Sequence, residues 1–76
     1  MNKLDKIFEK ISFKRQKWLS ENENKIVYEN EKQTRFFILW KNIKAIEISS
    51  EHGFSTIIYP YEFPILVESM KELRWL

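Results

Sequence analysis

The second half of the chain is a succession of short apolar runs, RFFILW at 35–40, NIKAIEIS at 42–49, FSTIIY at 54–59 and FPILV at 63–67, separated by turn-forming residues. Runs of four to eight β-branched and aromatic residues bounded in this way read as successive strands of an antiparallel sheet. KIVYE at 25–29 adds a strand before them, and NEKQ at 30–33 is the hairpin turn that joins it to a strand at 34–40. In that strand Arg35, Phe37 and Leu39 lie on one face and Phe36, Ile38 and Trp40 on the other. Both faces are apolar, which places it in the centre of the sheet.

The first residues follow another period. Leu4, Ile7, Phe8 and Ile11 fall at i, i+3, i+4 and i+7 and form one stripe of an amphipathic helix, with Lys3, Lys6, Glu9 and Lys10 facing outward. Ile11 and Phe13 also suit a strand, but continuation of the stripe through Arg15 to Trp18 predicts helix from residue 2 to about residue 17. SENEN at 20–24 has no apolar residue and reads as a loop.

Asn42 opens a turn into IKAIEIS, and the segment from Glu51 to Gly53 closes the next one with the single glycine of the chain. Phe54 to Tyr59 is then a fourth strand. Pro60 and Pro64 cannot donate ladder hydrogen bonds, so Phe63 to Val67 reads as an irregular fifth strand at an edge. Ser69 and Glu72 match the S-x-x-E capping box at the start of a short C-terminal helix, MKELRWL, which Met70, Leu73 and either Trp75 or Leu76 would pack on the sheet. The expected class is α+β in a single domain, residues 1–76: an N-terminal helix, about five antiparallel strands as a sheet or small open barrel, and a short C-terminal helix.

At 76 residues the core must be small. Aromatics at 16% therefore exceed what a thin core absorbs, and some are expected at a contact surface. Without cysteine there is neither a disulfide nor a thiolate metal site, which suits a reducing compartment. The chain contains no uninterrupted apolar run of membrane-spanning length, so the expected setting is soluble and cytoplasmic, in an infected or host cell.

Charge is unevenly placed. Residues 1–19 carry Lys3, Lys6, Lys10, Lys14, Arg15 and Lys17 against Asp5 and Glu9, a net of +4, and the remainder holds seven bases and nine acids, a net of −2.

Within residues 36–73, the order of a strand, N-I-x-x-I-E, a turn, T-I-I-Y, a short turn and I-L-V-E-S-x-x-E-L resembles the small flagellar FlbD-like proteins and similar short phage-borne β proteins. The matching positions are Asn42, Ile43, Ile46, Glu47, Thr56, Ile57, Ile58, Val67, Glu68, Ser69 and Leu73, about half of the chain. The basic segment preceding the first strand has no counterpart in that pattern. ILWKNIKAI is also similar to the second motif of Sm-like RNA-binding proteins, although two further strand candidates follow it here. In size, charge and residue usage the chain looks like the small inhibitors of phages and mobile elements, anti-CRISPR proteins among them.

Catalytic chemistry finds little support. The chain has one histidine, His52, beside Gly53 in a predicted turn, and one aspartate, Asp5. Glu21, Glu23, Glu29 and Glu31 form an acidic patch without metal-ligand spacing, and one glycine cannot build a phosphate loop. No cofactor or metal is expected. The segment FKRQKW interleaves Lys14, Arg15 and Lys17 with Phe13 and Trp18, the combination that neutralises phosphates or carboxylates while a ring stacks or lodges in a pocket. Phe36, Trp40, Tyr59 and Tyr61 form a second candidate set, the tyrosines flanking Pro60 as a rigid knuckle. The function these features imply is non-enzymatic binding: an inhibitor of anti-CRISPR type docking on a nucleic-acid-handling host protein or ribonucleoprotein such as an RNA-guided nuclease. The alternatives are a small RNA- or DNA-binding regulator using the basic arm, and a homodimeric scaffold formed by edge-strand pairing.

Overall fold

Alternation along two central strands decides which side of the sheet becomes the interior. In the computed structural model, which describes residues 2–16, 24–51 and 57–76, these are β2 (Lys25–Asn30) and β3 (Arg35–Trp40), flanked by β1 (Phe13–Arg15) and β4 (Ala45–Ser50). The order is β1-β2-β3-β4, each strand antiparallel to the next. The rows Ile26–Leu39–Ile46 and Tyr28–Phe37–Ile48 point to one face, where α1 (Lys3–Glu9) and α2 (Phe63–Glu72) pack. Phe8, Tyr28, Phe37 and Leu39 are sealed completely there. Each contributes about 1.5–3 kcal/mol by leaving water, which makes this layer the main source of stability.

Asn2 caps α1, its Oδ1 accepting from the Leu4 amide at 2.7 Å. The helix then stops eight residues short of the expected end near residue 17. Ser12 takes a left-handed conformation, φ 62°, and reverses the chain into β1, where Phe13 pairs with Asn30 and is buried against Phe37 at 4.8 Å between ring centroids. Extending the helical stripe would have left Phe13 off the core, and its burial decides for strand. Left-handed residues also serve the hairpins, with Gln33 at φ 58° between β2 and β3 and Lys44 at φ 54° between β3 and β4. Asn30 closes the former turn, its Oδ1 accepting from the amides of Thr34 (2.8 Å) and Arg35 (3.1 Å).

The expectation of five strands or a small barrel is corrected here. Among the described residues the sheet has four strands and is open. Of the expected strand at Phe54 to Tyr59, positions 54–56 lie outside the described residues and 57–59 carry no strand. The expected strand Phe63 to Val67 is the first half of α2. Prolines argued for an edge strand, yet Pro60 opens a 3-10 turn (Pro60–Glu62) and Pro64 stands in the first turn of α2, where a fixed φ and a missing amide cost nothing. Ile65, Leu66, Ser69, Met70 and Leu73 then follow helical spacing toward the core. Ser69 is therefore buried inside the helix rather than capping it, its hydroxyl donating to the Leu66 carbonyl at 2.8 Å. The C-terminal end closes as a Schellman motif: Arg74 at φ 61°, its amide on Lys71 O and the Trp75 amide on Met70 O, which returns Trp75 to the core edge.

The tyrosine hydroxyl of the core is served by the helix. Phe8 and Tyr28 stack at 4.1 Å, and Tyr28 Oη donates to Asp5 Oδ1 at 2.5 Å. Burial pushes this phenol well above the ordinary tyrosine range, the Asp5 hydrogen bond and charge act in the same direction, and Arg15 opposes them. The folded state thus favours the neutral phenol. Its contribution is complete below the unfolded tyrosine pKa of about 10 and is lost as pH rises beyond it. Denaturant unfolding above that pH should show wild type losing stability more steeply than Tyr28→Phe, while at neutral pH the variant is weaker by about 1 kcal/mol through the lost hydrogen bond.

Candidate functional site

The described part of the basic segment, residues 13–16, does not converge on one surface. Because 13–15 is a strand, side chains alternate: Phe13 and Arg15 point to the helix side and Lys14 to the other. Phe13 is core, buried and unavailable as a contact ring. Arg15 lies beside Tyr28, half-buried, with its Nε buried and without a hydrogen-bond partner. Lys14 is exposed across from Glu29. Lys17 and Trp18 lie outside the described residues, as do His52, Glu21 and Glu23. On α1, Lys10 meets Glu68 of α2 at 2.9 Å, so part of the arm's charge is matched from within.

The four aromatic candidates separate onto two surfaces. Phe36 and Trp40 flank Ile38 on the outer face of the sheet, all three half-buried. Trp40 Nε1 donates to Glu47 Oε1 at 3.0 Å, and Lys25 Nζ sits 5.5 Å from the ring centroid, so one π face is already taken by a cation. Tyr59 and Tyr61 stand on the helix side, stacked at 5.8 Å with planes 9° apart.

This second pair is the better-built site. Glu62, the last residue of the 3-10 turn, is completely buried and meets Arg35 of β3 through two bonds, Nε to Oε2 at 3.0 Å and Nη2 to Oε1 at 2.7 Å. The same Oε1 accepts from the Tyr59 amide at 2.9 Å. Arg35 Nη2 also donates to the Ile57 carbonyl, and the guanidinium lies 5.2 Å from the Tyr59 ring centroid. One arginine thereby fixes residues 57–62 against the sheet at four points. The outward side chains on this support remain in water: Ile57 at 52%, Tyr59 at 46%, Tyr61 at 58%, Phe63 at 53% and Val67 at 39% exposed. Phe63 and Val67 are one turn apart on α2 and extend the patch along the helix. An open groove of about 420 Å³ adjoins Tyr61, with Ile11 and Phe13 on its apolar side.

Sequence reasoning identified Tyr59 and Tyr61 but missed Ile57, Phe63, Val67 and the supporting pair Arg35–Glu62. A signal existed in Glu62 itself, the one charge between Ile57 and Val67, since a carboxylate inside an apolar run calls for a buried cation. Among the described residues no group of three or more His, Asp or Glu could hold a metal ion, and no helix is long and apolar enough to cross a membrane. Comparison with family models, curated proteins and solved structures finds no match to the chain.

Removing one member of a buried ion pair leaves the other uncompensated. Thermal or denaturant unfolding of Arg35→Met should show a loss of about 3 kcal/mol, and Glu62→Met a similar one. The double variant should lose less than the sum of the two, because no lone charge stays behind.

Proposed function

We propose that this chain is a non-enzymatic binding protein that docks on another protein through the knuckle formed by Ile57, Tyr59, Tyr61, Phe63 and Val67. The observation that carries this reading is a run of half-exposed apolar side chains held in one geometry by the buried Arg35–Glu62 pair. Large rings whose backbone is already immobilised lose little entropy on docking, which is the property of an interface anchor. Glu62 neutralises the cation at the base of the knuckle, so the surface suits an apolar cleft with hydrogen-bonding groups for the two phenols rather than a polyanion.

Three features favour a protein over a nucleic acid as the target. The cations of 14–15 point to opposite sides of the sheet, Lys10 is engaged by Glu68, and Lys25 covers one face of Trp40. An inhibitor of a nucleic-acid-handling protein, the type to which the composition points, is the form of this role that best suits so small a chain. On that reading the knuckle enters the target and the basic first helix lies at the rim.

The test uses immobilised full-length protein and a host lysate with and without nuclease. A partner captured by wild type should survive nuclease and should be lost with Tyr61→Ala/Phe63→Ser, whose melting temperature stays near that of wild type because both side chains are exposed. Equal capture by the double variant removes the knuckle from the function. Loss of the complex on nuclease treatment moves the assignment to RNA or DNA.

A further inference from the structure

The two edges of the sheet are not alike. Native sheets guard an edge against foreign strands by keeping it short, or by placing proline, lysine or a bulge there. β1 is guarded by its length of three residues. β4 is six residues long, pairs with β3 without a bulge and contains neither proline nor a basic residue, Glu47 being its one charge.

Hydrogen-bond parity decides which backbone groups β4 turns outward. The Glu51 amide donates to the Thr34 carbonyl, so the residues in step with Glu51, namely Ser49, Glu47 and Ala45, exchange bonds with Phe36, Ile38 and Trp40 of β3. Ile46, Ile48 and Ser50 therefore aim their amides and carbonyls away from the sheet. Among the described residues no backbone partner reaches these three, and no residue of the strand is fully buried. The side chains of Ile46 and Ile48 lie half-buried at the rim of the core.

We propose that β4 pairs antiparallel with β4 of a second copy of this chain, about a two-fold axis through Ile48, joining two four-stranded sheets edge to edge. The sequence of the strand fits its own reverse in this register. Ile48 meets its equivalent and Ile46 meets the second copy's Ser50, so every outward amide and carbonyl of the three residues is bonded and the apolar layer continues across the joint. Each contact occurs twice or lies on the axis, as an isologous interface requires. Glutamates exclude the registers on either side: an axis through Glu47 sets it against itself, and an axis through Ser49 sets Glu47 against Glu51, like charges directly opposed. With the axis on Ile48, Glu47 meets the second copy's Ser49. One strand pair is a smaller contact than the about 1,200 Å² of stable complexes, so the dimer is weak and concentration-dependent. Its bonds are made by backbone groups that the knuckle does not use.

Sedimentation equilibrium of the full chain from micromolar to millimolar concentration at low salt tests it. Wild type should dimerise reversibly. Ser50→Pro should be monomeric throughout, since it removes an amide that points away from β3 and that only the second copy would use. Ser49→Lys should tighten self-association by about tenfold and Ser49→Glu weaken it by about as much, because the contact with Glu47 occurs twice per dimer. Exchanging the pair, as Glu47→Lys/Ser49→Glu, should restore the association that Ser49→Glu loses. A wild-type monomer at all concentrations overturns the proposal, as does a dimer indifferent to Ser50→Pro. Equal association of Ser49→Lys and Ser49→Glu, neither of which alters the backbone, overturns the register.

Discussion

Tyr28 joins the first helix to the sheet by two unlike forces acting on one side chain. Its ring lies flat on Phe8 at 4.1 Å and its hydroxyl reaches Asp5 one turn nearer the N-terminus. A phenylalanine would pack as well but leave the angle of α1 freer, and a polar residue would lose the stack. With the helix fixed in this way, Leu4 and Phe8 cover Phe37 and Leu39, and α2 closes the rest of the same face with Ile65 and Leu66. The small core is therefore one layer deep, with four rings, Phe8, Phe13, Tyr28 and Phe37, set among leucines and isoleucines. This is how a chain of 76 residues gathers enough buried area.

Much of this was legible in the residues. The alternation of 35–40 placed β3 in the centre with Phe37 and Leu39 inward, and the polar NEKQ stretch located the first hairpin. The N-terminal stripe gave α1 its buried Leu4 and Phe8. Trp75 packs where the C-terminal helix was expected to return. What failed did so for identifiable reasons. FPILV is too short for its period to separate strand from helix, and the prolines were weighed for the amides they lack rather than for the φ they impose. The end of α1 was hidden because Ser12, a residue without special freedom, makes the reversal. Of the candidate site, the exposed tyrosines were visible from the Y-P-Y motif. The Arg35–Glu62 pair was not, since its partners are 27 residues apart and meet only through the fold.

The two sides of the sheet hold different kinds of surface. On the helix side, Glu62 cancels Arg35 in the buried layer beneath the knuckle, so the run from Ile57 to Val67 presents ring and aliphatic edge to water, while Lys10 and Glu68 pair in solvent. On the outer side, charge is displayed but arranged in alternation with apolar residues. A basic leading segment seemed from the sequence to be the main contact element. The strand at 13–15 divides Lys14 and Arg15 between the two sides of the sheet instead.

The four reversals built on Ser12, Gln33, Lys44 and Arg74 bear on how the molecule forms. A side chain in the left-handed region costs roughly 1–2 kcal/mol relative to the ordinary helical one, and glycine is absent from all four. Such corners are poor nuclei. No isolated hairpin cut from this chain has a reason to persist, and the bends are tolerated only after long-range pairing and ring packing have formed around them. Assembly is accordingly cooperative, with the loops as followers of the core, and changes of loop sequence toward glycine would alter the order of folding events more than the final shape.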